Sequence, residues 1–429
     1  MTMSNFTRRS FVKLTGGVAA LGLVSMPSVS AFAAAKKRVV VIGGGYGGSI
    51  AAKYIRMGDP NIQVTLIEQN KDYYSGPLSN WVITGLRKLE VQKWGYEGLK
   101  KHGVEVVIDQ VNAIDPAAKT VGTVGGKKFE YDRLIVSPGV GFKSIEGYDA
   151  EAEKAMPHAW NAGEQTTSLA KKLQELKDGD PFILVAPPDP YRCPPGPYER
   201  ASLVADYLKK NKPKSKVIIL DPKDKFSKMP LFTGGWKQLY GYETPNSLIE
   251  WIPGAQGGKV TRVDAKAMTV YTEMAEFKSS CINIIPPNKA GAIAEKAGLT
   301  DDKGFCPVNL ETFESTKHPG IHVIGDASAA PGLPKSGYAA NSEAKVCAAA
   351  VVNILNGRPV GIPSYVNTCY SLISPDYGIS VAGVYKLNAG KIVEVSGGVS
   401  PGTAEDTVRK QEAVYNESWY QSIMADTFG

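Results

Sequence analysis

A strand, a glycine loop, a helix and a second strand follow one another without interruption over residues 38–68, and this succession constrains the fold more than anything else in the chain. Arg38-Val39-Val40-Val41-Ile42 is a short apolar run, as expected of a strand buried on both faces of a parallel sheet. It enters Gly43-Gly44-Gly45-Tyr46-Gly47-Gly48, where Gly43, Gly45 and Gly48 stand at G-x-G-x-x-G spacing. The pattern predicts a helix over Ser49–Met57 and a strand over Gln63–Ile67, closing on Glu68, about twenty residues beyond the last glycine. A glycine triplet alone would say little. With strand, helix and acid in place it reads as a dinucleotide site. The glycines let the backbone approach a pyrophosphate, the helix N-terminus offers N–H donors, and the acid meets ribose hydroxyls.

The same rhythm returns with different chemistry. Phe182–Val185 reads as a strand, Ala201–Lys209 as a helix and Lys216–Leu220 as the next strand. The loop between them is Ala186-Pro187-Pro188-Asp189-Pro190-Tyr191-Arg192-Cys193-Pro194-Pro195-Gly196-Pro197. Each proline removes an N–H donor that a pyrophosphate would need and stiffens the turn. A nicotinamide nucleotide is therefore not expected here. The expectation is a site built on Cys193, which takes electrons from a small substrate through sulfur.

Two further segments favour FAD for the first unit. Thr312 and then Gly320-Ile321-His322-Val323-Ile324-Gly325-Asp326 have the strand-Gly-Asp form of a second FAD motif, with Asp326 placed for the ribityl chain. Tyr131 to Gly139 reads as the strand that closes the FAD domain. After Lys335-Ser336, the helix beginning at Gly337-Tyr338 would aim its positive end at the reduced flavin ring. The expected fold is α/β, with two Rossmann-like dinucleotide-binding-type domains and a C-terminal α+β domain. The expected domains are a signal peptide over 1–33, an FAD-binding domain over 34–147 and 288–359, a degenerate NAD-type domain over 148–287, and a flavin-pocket and interface domain over 360–429.

At Cys193 to Arg200, at Asn367-Thr368-Cys369-Tyr370-Ser371, and in the tail from Ser418-Trp419-Tyr420 to Asp426-Thr427-Phe428-Gly429, the chain resembles the flavoprotein subunit of flavocytochrome c sulfide dehydrogenase. The resemblance covers essentially the whole chain after the signal. It implies a redox-active disulfide between Cys193 and Cys369 beside the flavin, an acid/base at Glu199 and a flavin-side tryptophan at Trp419. It further implies that hydrosulfide attacks the disulfide to give a persulfide and a thiolate, that two electrons pass to FAD, and that they leave singly to a c-type cytochrome subunit in a heterodimer. Which cysteine is attacked first stays open. One departure is plain. The family's flavin-linking cysteine falls within a run that here reads Tyr74-Ser75-Gly76-Pro77-Leu78-Ser79-Asn80, and no cysteine precedes Cys193. FAD is thus expected to be held non-covalently.

The N-terminus reads as an address. Thr7-Arg8-Arg9-Ser10-Phe11-Val12-Lys13 resembles a twin-arginine export motif, followed by a Gly/Ala-rich apolar stretch and Ala31-Phe32-Ala33 as a cleavage site. The enzyme is expected in the periplasm, where disulfides persist. The net charge of +7 includes Arg8, Arg9 and Lys13, so the chain beyond residue 33 is too weakly basic to argue for nucleic acid. After residue 36 no apolar run approaches a membrane span of about 20 residues. Four histidines (His102, His158, His318, His322) do not cluster for a metal, and no haem-attachment C-x-x-C-H is present. Cys281 and Cys347 read as buried small hydrophobes, while Cys306 is undecided. Three other readings stay open: a sulfide:quinone oxidoreductase, an NADH-dependent disulfide reductase, and a redox-inert flavoprotein partner in a sulfur-oxidation complex. The first should carry an amphipathic membrane seat near its C-terminus, and Val414–Phe428 is only weakly amphipathic. The second is disfavoured by the proline loop.

Overall fold

The computed structural model describes residues 37–429; the expected signal peptide over 1–33 lies outside the described residues. The first unit runs β1 (Arg38–Ile42), α1 (Tyr46–Gly58), β2 (Gln63–Glu68), β3 (Glu105–Ile108) and β4 (Arg133–Val136). The chain then builds a second sheet through β5 (Phe182–Val185), α2 (Gly196–Asn211), β6 (Val217–Leu220), α3 (Met229–Tyr240), β7 (Ile249–Ile252) and β8 (Cys281–Ile284). It returns with β9 (Ile321–Val323) and α4 (Gly337–Leu355). It ends in β10 (Ser364–Ser374), β11 (Tyr377–Asn388), β12 (Lys391–Val399) and α5 (Asp406–Phe428).

The first sheet has the order β9-β4-β1-β2-β3, all parallel. The second has the order β7-β6-β5-β8, again all parallel. Helices cover these sheets, which is why Val39–Ile42 and Phe182–Val185 are buried without alternation. The C-terminal strands form an antiparallel meander, β10-β11-β12. Helix α5 packs across β10 and β11 and reaches α1, which ties the tail to the first unit. Among the described residues no helix is long and apolar enough to cross a membrane.

Both loop-to-helix junctions start earlier than the pattern suggested. Helix α1 begins at Tyr46, inside the glycine loop, with Gly45 as its N-cap. This requires Gly48 to be a glycine, because a Cβ there would lie 1.8 Å from Gly43 O. Gly43 itself has φ +95, and its Cβ would lie 2.2 Å from Ser137 O. Helix α2 begins at Gly196, ahead of the expected Ala201, with Pro197 in its first turn. The first N–H groups of a helix have no intrahelical partner, so a proline costs nothing there and presets φ. The loop thus runs directly into the helix, its last two residues, Gly196 and Pro197, opening α2. Cys281, Cys306 and Cys347 are all fully buried, which places the undecided Cys306 with the other two as a packed residue.

Candidate active site

A cavity of ≈730 Å³ opens along the glycine loop and extends to the proline loop, a size that suits a cofactor (about 300–1,000 Å³). Gly43, Gly45, Glu68, Gly139, Asp326, Gly337 and Tyr338 line it. Gly48 and Gly325 do not. Gly48 backs onto Gly43, while Gly325, at φ +72, gives its N–H to Glu343 Oε2 at 2.7 Å; these two shape loops and leave the ligand to others. Glu68 closes the cradle by accepting the N–H of Gly44 at 2.7 Å and that of Asn70 at 2.9 Å. Asp326 Oδ1 is buried with no hydrogen-bond partner, and burial raises its pKa against the pull of Arg192 and Lys335. A buried acceptor of this kind calls for a donor, which a ribityl hydroxyl would supply. Ser336 caps α4 by accepting the Ala339 N–H at 3.0 Å, so the positive end of a 19-residue helix meets the cavity at Gly337. Together these residues fit an FAD molecule.

Cys193, Cys369, Glu199 and Trp419 line the same cavity. Cys193 stands in the left-handed region, φ +54, and donates its N–H to Lys335 O at 2.7 Å, which pins the proline loop to the segment before α4. Cys369 comes from β10. The fold thus brings both cysteines, from distant segments, to the same cavity. Burial raises both thiol pKa values. Glu199 is not on the surface of its helix: it is 7% exposed, with Oε1 accepting the Leu372 N–H and Oε2 accepting Asn80 Nδ2, both at 2.9 Å. Burial raises its pKa despite those donors. The Trp419 ring lies nearly parallel to Tyr338 (6.4 Å, 20°) and tilted to Tyr370 (6.3 Å, 54°), with Nε1 buried and unpartnered. Gly76 also lines the cavity, and a Cβ there would meet nothing within 4 Å.

Sequence reasoning missed three polar residues around the pair. Asn80 bridges Glu199 and Arg200, whose Nε donates to Asn80 Oδ1 at 2.9 Å. Arg200 is 1% exposed and also donates to the carbonyls of His158 and Ala159 and to Asn283 Oδ1. Lys228 is buried at the start of α3 with nothing in its local sequence to mark it.

In the second unit the acid at the corresponding strand end is engaged by the protein itself. Asp221 follows β6 just as Glu68 ends β2, at the place where a ribose would be bound. It is fully buried and accepts Tyr198 Oη at 2.6 Å, Trp251 Nε1 at 3.0 Å and Lys223 Nζ at 2.7 Å. Tyr198 stacks on Phe226 at 3.7 Å. All three donors to this carboxylate come from within the second unit.

Comparison with known proteins gives three family matches. Residues 166–286 match the central part of the sulfide dehydrogenase (flavocytochrome c) flavoprotein chain. Residues 362–428 match the flavin-binding part of flavocytochrome c sulphide dehydrogenase. Residues 37–175 match the pyridine nucleotide-disulphide oxidoreductases. A sulfide dehydrogenase (flavocytochrome c) flavoprotein chain from Chlorobaculum thiosulfatiphilum is 54% identical over 46 residues, 11% of this chain and 96% of that sequence. A sulfide-quinone reductase from Aquifex aeolicus (strain VF5) is 27% identical over 346 residues, 75% of this chain and 78% of that one. In fold, the chain is similar to the X-ray structure of the sulfide:quinone oxidoreductase from Aquifex aeolicus, with TM-score 0.71 and 21% identity over 91% of this chain and 92% of that one.

Proposed function

Because the chain belongs to the flavoprotein family of flavocytochrome c sulfide dehydrogenase, within the FAD-linked disulfide reductase superfamily, we propose that it is a periplasmic sulfide dehydrogenase. It oxidises hydrosulfide through Cys193 and Cys369 and a non-covalently bound FAD, and it delivers electrons to a c-type cytochrome subunit. The observation that carries this reading is the meeting of two cysteines from distant segments on the wall of the cavity that holds the glycine cradle and Asp326. FAD, when bound, supplies a two-electron acceptor that can release electrons one at a time. The chain does the rest. The glycine loop and the N-terminus of α1 receive the pyrophosphate, Glu68 the ribose, and Asp326 the ribityl chain. Cys193 and Cys369 exchange a sulfur–sulfur bond with the substrate, and Glu199, with its raised pKa, holds or releases a proton at its carboxyl. Trp419 and Tyr338 wall the cavity against water.

The engagement of the Asp221 carboxylate by Tyr198 and Trp251 supports a substrate other than NADH. The twin-arginine-like Thr7–Lys13 supports export, and an exchanging cysteine pair suits an oxidising compartment. A quinone acceptor is the second reading, favoured by the length over which the Aquifex sulfide-quinone reductase aligns. Anaerobic sulfide should bleach the visible absorbance of the bound flavin, and NADH should not. Cys193→Ser and Cys369→Ser should each abolish the bleaching while leaving FAD bound. Bleaching by NADH, or near-normal sulfide bleaching in either variant, defeats the proposal. Adding cytochrome c or a quinone analogue to the bleached protein then decides the acceptor.

A further inference from the structure

Lys228 lies behind the cavity wall and is 9% exposed. Its position carries three costs. Its backbone is left-handed, φ +59, a conformation side chains rarely adopt. Lys228 is the N-cap residue of α3, a position where a cation adds to the positive end of the helix dipole. It is also a buried cation, which needs an anion nearby. Lys228 Nζ donates to Ser371 Oγ at 3.0 Å, its one hydrogen-bond acceptor among the described residues; two N–H bonds remain for an anion. Ser371 and Cys369 are two residues apart on β10 and therefore project from the same face. Asn367 and Tyr365 share that face and reach inward to Ser336 Oγ and Leu310 O. The ammonium thus stands on the side from which the Cys369 sulfur projects.

The geometry points to Lys228 as the counter-cation of Cys369, the residue that makes Cys369, and not Cys193, the thiolate of the reduced pair and the leaving sulfur when the disulfide is opened. This rests on the exchange chemistry of the proposed function and assigns the order of attack that the sequence left open. Hydrosulfide attacks Cys193 Sγ. A new sulfur–sulfur bond forms as the Cys193–Cys369 bond breaks, and the electron pair of the broken bond ends on Cys369 as thiolate. The substrate sulfur, keeping its proton, becomes the outer atom of a persulfide on Cys193. The disulfide is the oxidant and no other is needed. Exchange runs faster when the sulfur of lower pKa leaves.

Other charges face the pair. Glu199 opposes a thiolate on either cysteine, Arg192 and then Lys228 ease Cys193, Arg200 is also close to Cys193, and burial lowers the pKa of Lys228 itself against the pull of Cys369, Glu199, Cys193 and Glu412. Burial raises both thiols, and Lys228 is the foremost opposing influence on Cys369. Against the assignment stands the N-terminus of α2 beside Cys193, where a Cβ on Gly196 would lie 3.0 Å from Cys193 Sγ. The experiment decides between the two.

The holoenzyme, reduced anaerobically, is pulsed with iodoacetamide across pH, and alkylation of each cysteine is followed by peptide mass spectrometry. The pH midpoint of each rate reports the thiolate independently of how easily the reagent enters. The Cys369 midpoint should lie about one pH unit or more below that of Cys193, and Lys228→Met should raise the Cys369 midpoint by about one unit or more, a tenfold loss of thiolate at fixed pH. Lys228→Arg, which keeps the charge, should preserve the order. A lower midpoint at Cys193 overturns the assignment, as does a Cys369 midpoint unmoved by Lys228→Met. If Lys228→Met fails to retain flavin, the order of the two midpoints in the wild type decides the matter. Failure of the sulfide reading shows separately, as absent sulfide bleaching with the midpoints still ordered.

Discussion

His158 shows what burial does to a single titratable side chain beside the site. It is 4% exposed, its Nδ1 accepts the Trp160 N–H at 2.9 Å, and its Nε2 lies 3.2 Å from Glu153 Oε1. The backbone donor at Nδ1 fixes the neutral form protonated at Nε2. Burial, with Arg200 and Arg192 nearby, pulls its pKa down to about 4 and outweighs Glu153, which is partly solvated. An unfolded histidine titrates near 6.5, so between those values the unfolded chain binds a proton that the folded one refuses. The contribution is intact above about pH 6.5 and is lost as pH falls toward 4, on the order of 3 kcal/mol in full. Denaturant unfolding from pH 7 to 4 should show a shallower loss in His158→Gln than in wild type. Parallel slopes would sink the argument. Nothing in Pro157-His158-Ala159 announced this; the low pKa comes from Arg200, Phe142 and buried backbone brought in from elsewhere.

Among elements, α5 does the most to join distant parts. Asp426 accepts Tyr54 Oη at 2.9 Å, Asn341 Nδ2 at 2.9 Å and Lys345 Nζ at 2.7 Å, which ties the last turn of α5 to α1 and α4 at once. Phe428 packs on Tyr73, Trp94 and Tyr96, and Tyr73 lines the cavity. Asp426→Ala should therefore cost roughly 1–3 kcal/mol and loosen the flavin as well. Equilibrium denaturation and the flavin dissociation constant check the two effects. Unchanged flavin affinity would limit α5 to a structural clasp. The tail's weak amphipathicity already argued against a membrane seat, and the structure gives the physical reason for it. Both sides of the helix are used, with Tyr420, Ile423 and Met424 packed inward and Val414 and Tyr415 left exposed.

At the scale of the molecule, the proposed non-covalent flavin would be retained by packing and polar contacts alone, since Gly76 supplies room but no sulfur for a bond to the ring. Acid or heat precipitation should leave yellow FAD in the supernatant, and flavin fluorescence that stays with the denatured polypeptide would refute a non-covalent cofactor. Such a flavin makes the closure of α5 and the capped start of α4 part of the binding site. It also makes holoenzyme stability depend on free FAD concentration by mass action.

The parallel sheets, the glycine cradle with Glu68, and the proline loop's shortage of N–H donors were all determined by sequence, because each is local: a strand period, a backbone without Cβ, a missing N–H. That Cys193 and Cys369 come to one cavity was legible only through resemblance, since spacing does not pair cysteines. Tertiary structure alone decided which charges stand beside the sulfurs. Asn80, Arg200 and Lys228 arrive from the first unit, from α2 and from the start of α3, and the charges among them are tuned by desolvation and by neighbours remote in the chain. Glu199 makes the same point: by sequence it could pass for a surface acid in a helix's first turn, and it becomes a buried carboxyl because β10 and Asn80 close over it. Local sequence dictates elements, but the electrostatics of a site belong to groups that only the fold assembles.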